Sequence, residues 1–431
     1  MSDSNCLCLA AWLHRFTNEQ GLHQLCCVGV GETNTLRDAD GEPLHIRQLL
    51  SDAEVLNSPD LKAIRAGMLR GEWPDACRRC REVEESGGVS ARHGYEHRFG
   101  RWKPELLAQT SPDGTLSRPV VRSADIRLGN LCNLTCRMCG PGASRPWVEH
   151  YNAVQPPGHR LPVEILATMR DDNWVKSQPV RALLEQCLPT VEALIFAGGE
   201  PMMRPEMVEA LRQCIESGRA GEIQLTYNTN GTLLPEKVTS LWPQFAGVTL
   251  IVSIDGFGPL NEYIRRPSKW RDIDRNLHLI EQNFKRWKLR SVVVNTTVQA
   301  YNVLEVGPVL NYLSNHFRQI SPIPQLSPLF EPSYLSIQML PAKIKAAARA
   351  HLVAVREQAR SLGRPDCRFL IDTFETTLTH LDAAAGSSRE FMDFLYFSEK
   401  SDRQFGDSWR SACKELSALL PHPRAFQPAA G

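Results

Sequence analysis

The sequence predicts an α/β fold built around a partial (β/α)6 barrel over residues 124–337. A small cysteine-rich block at 1–100 precedes it through a linker at 101–123, and a helical region follows at 338–431. Three observations predict this. Short β-rich runs alternate with helical stretches between about 124 and 337, the pattern of a parallel sheet covered by helices. Glycine-rich or polar clusters follow those runs, so in a parallel barrel they collect at the carboxyl-end rim, where such folds carry their sites. Nine of the 13 cysteines fall before residue 140, in two groups.

The runs are 124–128, leading into a cysteine loop; 191–197, meeting Gly198 and Gly199; 222–227, meeting Asn228 to Gly231; 248–254, before Asp255 and Gly256; and 290–298. Helices are expected at 206–217, 235–245, 271–284 and 305–317, with helical patches inserted at 156–189. Five or six such units make an incomplete barrel whose lateral opening a larger substrate or another domain can fill. Residues 342–361 place apolar residues three and four apart, a helical period. The tail at 421–431, rich in proline and alanine, is expected to fray.

Composition excludes several classes. With 431 residues and 42% hydrophobic content, the chain can bury a sizeable core. Lysine plus arginine (49) nearly cancels aspartate plus glutamate (48), so no net basic field draws nucleic acid or an anionic membrane. The first residues carry no basic segment followed by an apolar one, and no run of about 18 apolar residues occurs. A soluble, cytoplasmic chain is expected. Clustered cysteines in such a chain bind metal more often than they form disulfides. Cys187, Cys214, Cys367 and Cys413 stand singly and are not expected to bind metal, and the first three read as small buried hydrophobes.

Cys132, Cys136 and Cys139 stand in the segment Leu131-Cys-Asn-Leu-Thr-Cys-Arg-Met-Cys-Gly140. Three thiolates on one tight loop hold three corners of a [4Fe-4S] cluster and leave one iron open to a small molecule. A structural zinc site uses four protein ligands instead, and the nearest histidine downstream is His150. Roughly 60 residues after the loop comes Gly198-Gly199-Glu200-Pro201, with glycines for close backbone approach and a carboxylate for a cation.

On these motifs, residues 124–320 resemble the radical S-adenosylmethionine (radical SAM) superfamily. The resemblance implies that Cys132, Cys136 and Cys139 hold the cluster, and that the amino and carboxylate groups of S-adenosylmethionine chelate its fourth iron. Reductive cleavage then gives methionine and a 5′-deoxyadenosyl radical that abstracts a substrate hydrogen. It implies cofactor contacts from Gly198, Gly199, Glu200 and Pro201, and from Asn230, Ser253 and Asp255 beyond the next strands. Turn chemistry alone also accounts for Asn-Gly and Asp-Gly. Met138 stands where many members carry an aromatic residue, and its backbone can still approach the adenine. Arg265 or Arg266, in Asn261-Glu-Tyr-Ile-Arg-Arg-Pro267, is a candidate for holding a carboxylate of the cofactor or substrate, with a surface salt bridge as the alternative.

The first block resembles, in its cysteine order, the SPASM or twitch modules of that superfamily, which bind auxiliary [4Fe-4S] clusters. By position Cys8, Cys26, Cys77 and Cys80 are the four ligands, and Cys6 and Cys27 are spare neighbours, Cys27 being the alternative to Cys26. Such modules usually follow the core, whereas this block precedes it. A four-cysteine zinc site would use the same thiolates. The spacing in His93-Gly-Tyr-Glu-His97 matches a zinc hydrolase motif. It is set aside because Gly87, Gly88 and Gly94 weaken the helix it requires and no third ligand is evident.

The sequence therefore reads as a radical SAM enzyme with an auxiliary cluster, abstracting hydrogen from a peptide. Oxidation or rearrangement of a small metabolite is the alternative, and a zinc-binding scaffold without catalysis is the rival from another class. Flavodoxin or ferredoxin is the expected type of electron donor.

Overall fold

The structure, a computed structural model, describes residues 6–85, 87–176, 178–364 and 367–420. The sequence readings at 1–5 and 421–431 lie outside the described residues. Eight strands form one sheet in the order β2-β1-β3-β4-β5-β6-β7-β8. They are β1 (His14–Thr17), β2 (His23–Gln24), β3 (Ser123–Arg127), β4 (Ala193–Ala197), β5 (Gln224–Thr229), β6 (Gly247–Ser253), β7 (Leu289–Val298) and β8 (Gln325–Pro328). Strands β3 to β8 are parallel and follow chain order, consistent with a partial barrel of six β/α units.

Alternation along the strands separates two faces. In β5 to β7, Leu225, Tyr227, Val248, Leu250, Val252, Val292 and Val294 are buried. Their neighbours Thr226, Asn228, Thr249, Ser253, Ser291, Asn295 and Thr297 are only half-buried. The apolar face packs on helices such as Trp270–Asn283, which buries Ile273, Leu277 and Ile280 at helical spacing. The other face forms the inner wall and sets these uncharged polar residues beside Ile251 and Val293.

The sequence reading set residues 1–100 apart, but their strands belong to the core sheet. Strand β1 lies parallel to β3, pairing His14 with Ser123 and Thr17 with Ile126, and β2 returns antiparallel along β1. One apolar cluster runs from Leu9, Trp12 and Leu13 to Ile126, Leu194 and Leu225. The physical reason is that an edge strand such as β3 leaves a row of backbone groups unpaired. The linker at 101–123 is also partly ordered, with a helix at Lys103–Ala108 and the Trp102 indole donating to Glu192 at 3.1 Å.

Two helix expectations change. The predicted helix at 235–245 is broken into Glu236–Thr239 and a 3-10 turn at Trp242–Gln244, since Pro243 cannot donate a backbone hydrogen bond. A helix does form at Ala91–Phe99 despite Gly94, begun by Ser90, and there the His93 ring caps the Ser90 amide rather than meeting His97 over a metal.

The helices Ala342–Ser361, Arg368–Asp382 and Ser388–Phe405 build a second apolar cluster with Trp147, Tyr263 and Tyr301, in which Phe374, Phe394 and Phe397 are fully buried. Burying each such side chain contributes about 1.5–3 kcal/mol. The last of these helices also grips the cysteine loop. Arg137, between Cys136 and Met138, reaches Asp402 and Asp407 at 3.1 Å each and lies over the Tyr263 ring at 3.7 Å. On the other flank, Arg79 of the first block stacks on Phe330, 4.4 Å from its centroid, so that block reaches past the open edge of the barrel.

Candidate active site

The loop after β3 is sewn to the segment following the Pro259–Ile264 helix. Thr135 N donates to Arg266 O at 2.6 Å, Arg137 N to Ile264 O at 2.9 Å, and the Trp147 indole to Cys136 O at 2.9 Å. A second set of bonds ties it to β4: Gly199 N donates to Gly129 O at 3.0 Å, and Glu200 N to Leu131 O at 2.8 Å. The glycines serve this contact. A Cβ on Gly199 would stand 2.6 Å from the Leu131 carbonyl carbon, and Gly198 has φ of +109° beside Gly129 O.

One cavity at the carboxyl ends of these strands brings together Cys132, Cys136, Met138 and Cys139 with Gly198, Gly199, Asn230, Ser253 and Arg265. Glu200, Pro201 and Asp255 stand behind it. Glu200 is buried and accepts from Asn230 N at 2.7 Å, Thr229 Oγ1 at 2.9 Å and Met202 N at 3.0 Å. Burial pushes its carboxyl up to about 7, against those donors, which favour the charged form. Asp255 is wholly buried, accepts from Thr297 N at 2.7 Å and faces Arg265 Nε at 2.7 Å. Asn230 lines the cavity while donating to Asn133 of the cysteine loop at 2.8 Å.

Sequence reasoning missed Arg127, Asn228 and Thr297 on the same cavity wall. Arg127 pairs with Asp125 at 3.2 Å and with Glu19 at 3.1 Å, and it lies over Phe16. Burial raises the Asp125 carboxyl to about 6, with Arg127 opposing. A signal was present: Asp125 and Arg127 fall two apart in β3, on the face opposite Ala124 and Ile126.

The thiols suit a cationic metal cluster. Burial pushes Cys132 up to about 12, while a hydrogen bond with Cys139, then burial, pushes Cys136 well up. Cys132 and the buried Cys136, with Arg265 as the charge beside them, ionise readily only when a metal supplies more positive charge.

A second pocket, in the first block, is lined by Cys8, Cys26, Cys77 and Cys80 among apolar neighbours such as Leu25, Trp73 and Ala76, with Arg92 beside them. Burial raises Cys8 to about 12, with Cys77 and Cys80 adding to the rise. Cys6 and Cys27 do not line this pocket. Cys6 donates to Met68 O at 3.6 Å, and Cys27 is exposed, with Asp125 and Arg127 as its charged neighbours. No disulfide joins the described cysteines. Among the described residues no three His, Cys, Asp or Glu side chains are drawn tightly enough to hold a single metal ion, and no helix is long and apolar enough to cross a membrane.

Residues 126–299 match the family model described as the Radical SAM superfamily, so this part of the chain is similar to a radical SAM domain. That superfamily uses a [4Fe-4S] cluster and S-adenosylmethionine. No curated protein matches the chain by sequence. Among solved structures, native anSMEcpe with bound AdoMet is similar at 18% identity and a TM-score of 0.37, over 56% of this chain and 62% of that one. Streptococcus suis SuiB bound to precursor peptide SuiA is similar at 16% identity and 0.29, over 56% and 51%. TYW1 with a lysine-pyruvate adduct bound is similar at 12% and 0.29, over 55% and 72%. The chain thus spans less than two thirds of the length of the first two, and all three are too remote to transfer a substrate.

Proposed function

We propose that this enzyme abstracts a hydrogen from a peptide held in the barrel, with Cys132, Cys136 and Cys139 holding the radical-generating cluster. Bound there, the cluster and S-adenosylmethionine supply, with one electron from a donor such as flavodoxin or ferredoxin, the 5′-deoxyadenosyl radical. The observation that carries the reading is the meeting of three thiols with Gly198, Gly199, Asn230 and Ser253 around one cavity at the carboxyl ends of parallel strands. Around it the chain's own residues bind and orient. Ser253 and Asn230 offer hydrogen bonds to the cofactor, Glu200 places a carboxylate behind the glycines, and Met138 lines the wall beside the last cysteine.

Two further features support the finer reading. The inner wall offers neutral donors and acceptors, Asn228 and Thr297 on the cavity itself and Thr226 and Asn295 on the same strands, which match peptide amides better than phosphates or other polyanions. Four thiols around one apolar pocket in the first block suit an auxiliary [4Fe-4S] cluster on Cys8, Cys26, Cys77 and Cys80.

The test is anaerobic reconstitution with iron and sulfide, followed by assay of 5′-deoxyadenosine under reduction. Replacing Cys132, Cys136 or Cys139 by alanine is expected to abolish cleavage. Replacing Cys77 and Cys80 is expected to remove about half the bound iron and leave uncoupled cleavage. Zinc in place of iron, with no cleavage by the native protein, would overturn the proposal.

A further inference from the structure

We propose that Arg265 sets the reduction potential of the cluster held by Cys132, Cys136 and Cys139, by presenting its guanidinium to the Cys136 sulfur, and that Asp255 positions and attenuates that charge. The proposal rests on the cluster assignment above and deepens it.

The geometry is specific. Arg265 Nη1 lies 3.9 Å from Cys136 Sγ, in a side chain only 9% exposed. On its other edge, Arg265 Nε faces Asp255 Oδ2 at 2.7 Å, and Asp255 is itself fixed by the Thr297 amide on its other oxygen. The backbone is held as firmly, since residues 264 and 266 on either side of Arg265 accept the amides of Arg137 and Thr135 from the cysteine loop. The guanidinium therefore has little freedom to leave the sulfur. A surface salt bridge would show neither the burial nor the loop pairing.

The electrostatic consequence follows from sign and proximity. Reduction adds one negative charge to a cluster, so a nearby cation or a donor to its thiolate favours the reduced form and raises the potential. Asp255 opposes this, but it touches the far edge of the guanidinium, while Nη1 approaches the sulfur. The net influence of the pair is positive at Cys136. In a site from which water is excluded, such a dipole is screened less than on the surface.

The experiment is a mediator-coupled redox titration of the reconstituted full chain without S-adenosylmethionine, followed by EPR. The signal of interest is the one absent from Cys132→Ala. For Arg265→Gln, the reduced-to-oxidised ratio at a fixed potential is expected to fall about tenfold, equivalent to about 59 mV for one electron. Asp255→Asn is expected to move it the other way, and Arg265→Lys, which keeps the charge but not the reach, to lower it less. If Arg265→Gln fails to load a cluster, opposite shifts in the other two variants still support the proposal. Shifts of the same sign, or no shift, overturn it, because a merely structural pair would not separate the two signs. A native protein that takes up no [4Fe-4S] cluster refutes the cluster assignment instead, an outcome distinct from a loaded cluster indifferent to Arg265.

Discussion

Replacing Gly199 by alanine would drive the backbone of the cysteine loop away from β4. The added Cβ would stand 2.6 Å from the Leu131 carbonyl carbon, closer still to its oxygen, and 2.8 Å from the Asn130 carbonyl carbon, where real contacts keep 3.0 Å or more. All these are backbone atoms, so no side chain can swing aside. The loop must retreat by about 0.8 Å for the Leu131 oxygen to clear the new Cβ, and the 2.8 Å bond from Glu200 N to Leu131 O stretches with it. Overpacking of this kind costs about 1–3 kcal/mol, and a weakened hydrogen bond adds about 1 kcal/mol, for a total near 2–4 kcal/mol. Leu131 immediately precedes Cys132, so the same displacement spoils the thiol arrangement. Urea denaturation of the metal-free protein measures the first effect, and iron content after reconstitution measures the second. Gly221→Ala serves as the control, because a Cβ there meets nothing within 4 Å, and its effect is expected to stay within about 0.5 kcal/mol. A Gly199→Ala protein that unfolds at the native midpoint and takes up iron normally would refute the account of why this glycine is here.

Two other outcomes are expected. Glu200, its carboxyl pushed up to about 7 by burial, holds its proton in the folded state across a range where the unfolded chain, near 4.5, has lost it. Stability from this group is present below about pH 4.5 and lost as pH rises through 7, by about 3 kcal/mol in the metal-free protein. Glu200→Gln is expected to remove that slope between pH 5 and 8 in urea titrations, and an unchanged slope would show that the carboxyl is ionised throughout. Arg137→Ala would remove the cation that ties Asp402 and Asp407 to the cysteine loop, leaving Asp402 to the Tyr263 hydroxyl and Trp409 amide and Asp407 to Arg266, and so loosen the Ser388–Phe405 helix from that loop. A loss of about 1.5–3 kcal/mol is expected, with faster hydrogen exchange in that helix, and native exchange there would contradict the clamp.

How much could be read beforehand follows from which interactions are local. Strands β3 to β7 were legible because each carries its own alternation or apolar run and ends in a marked cluster, and the expected 248–254 run falls within one residue of Gly247–Ser253. Strand β8, four residues closed by Pro328, shows no such pattern. Strand β1 was illegible for a different reason: His14-Arg-Phe-Thr17 is buried on both faces and gains its identity only by pairing with β3, more than a hundred residues away. At the site, the motif glycines and cysteines were found from spacing. What spacing does not disclose is direction. Glu200 and Asp255 turn away from the cavity because backbone amides of Asn230, Met202 and Thr297 take their oxygens. Arg127 turns into it from a strand whose charges were visible but whose inner face was not.

The pairing of β1 with β3 bears on how such a protein can be divided or recombined. A module hung on a tether can be exchanged, lost or moved from one end of a chain to the other with the catalytic unit intact. Here the cysteine-rich segment supplies the closing edge of the sheet and a share of the same apolar interior. A fragment starting at β3 would carry a bare strand edge and an uncovered greasy flank, open to self-association. The segment and the barrel therefore form one inheritable unit, and any exchange of the cysteine-rich part must carry β1 and β2 with it.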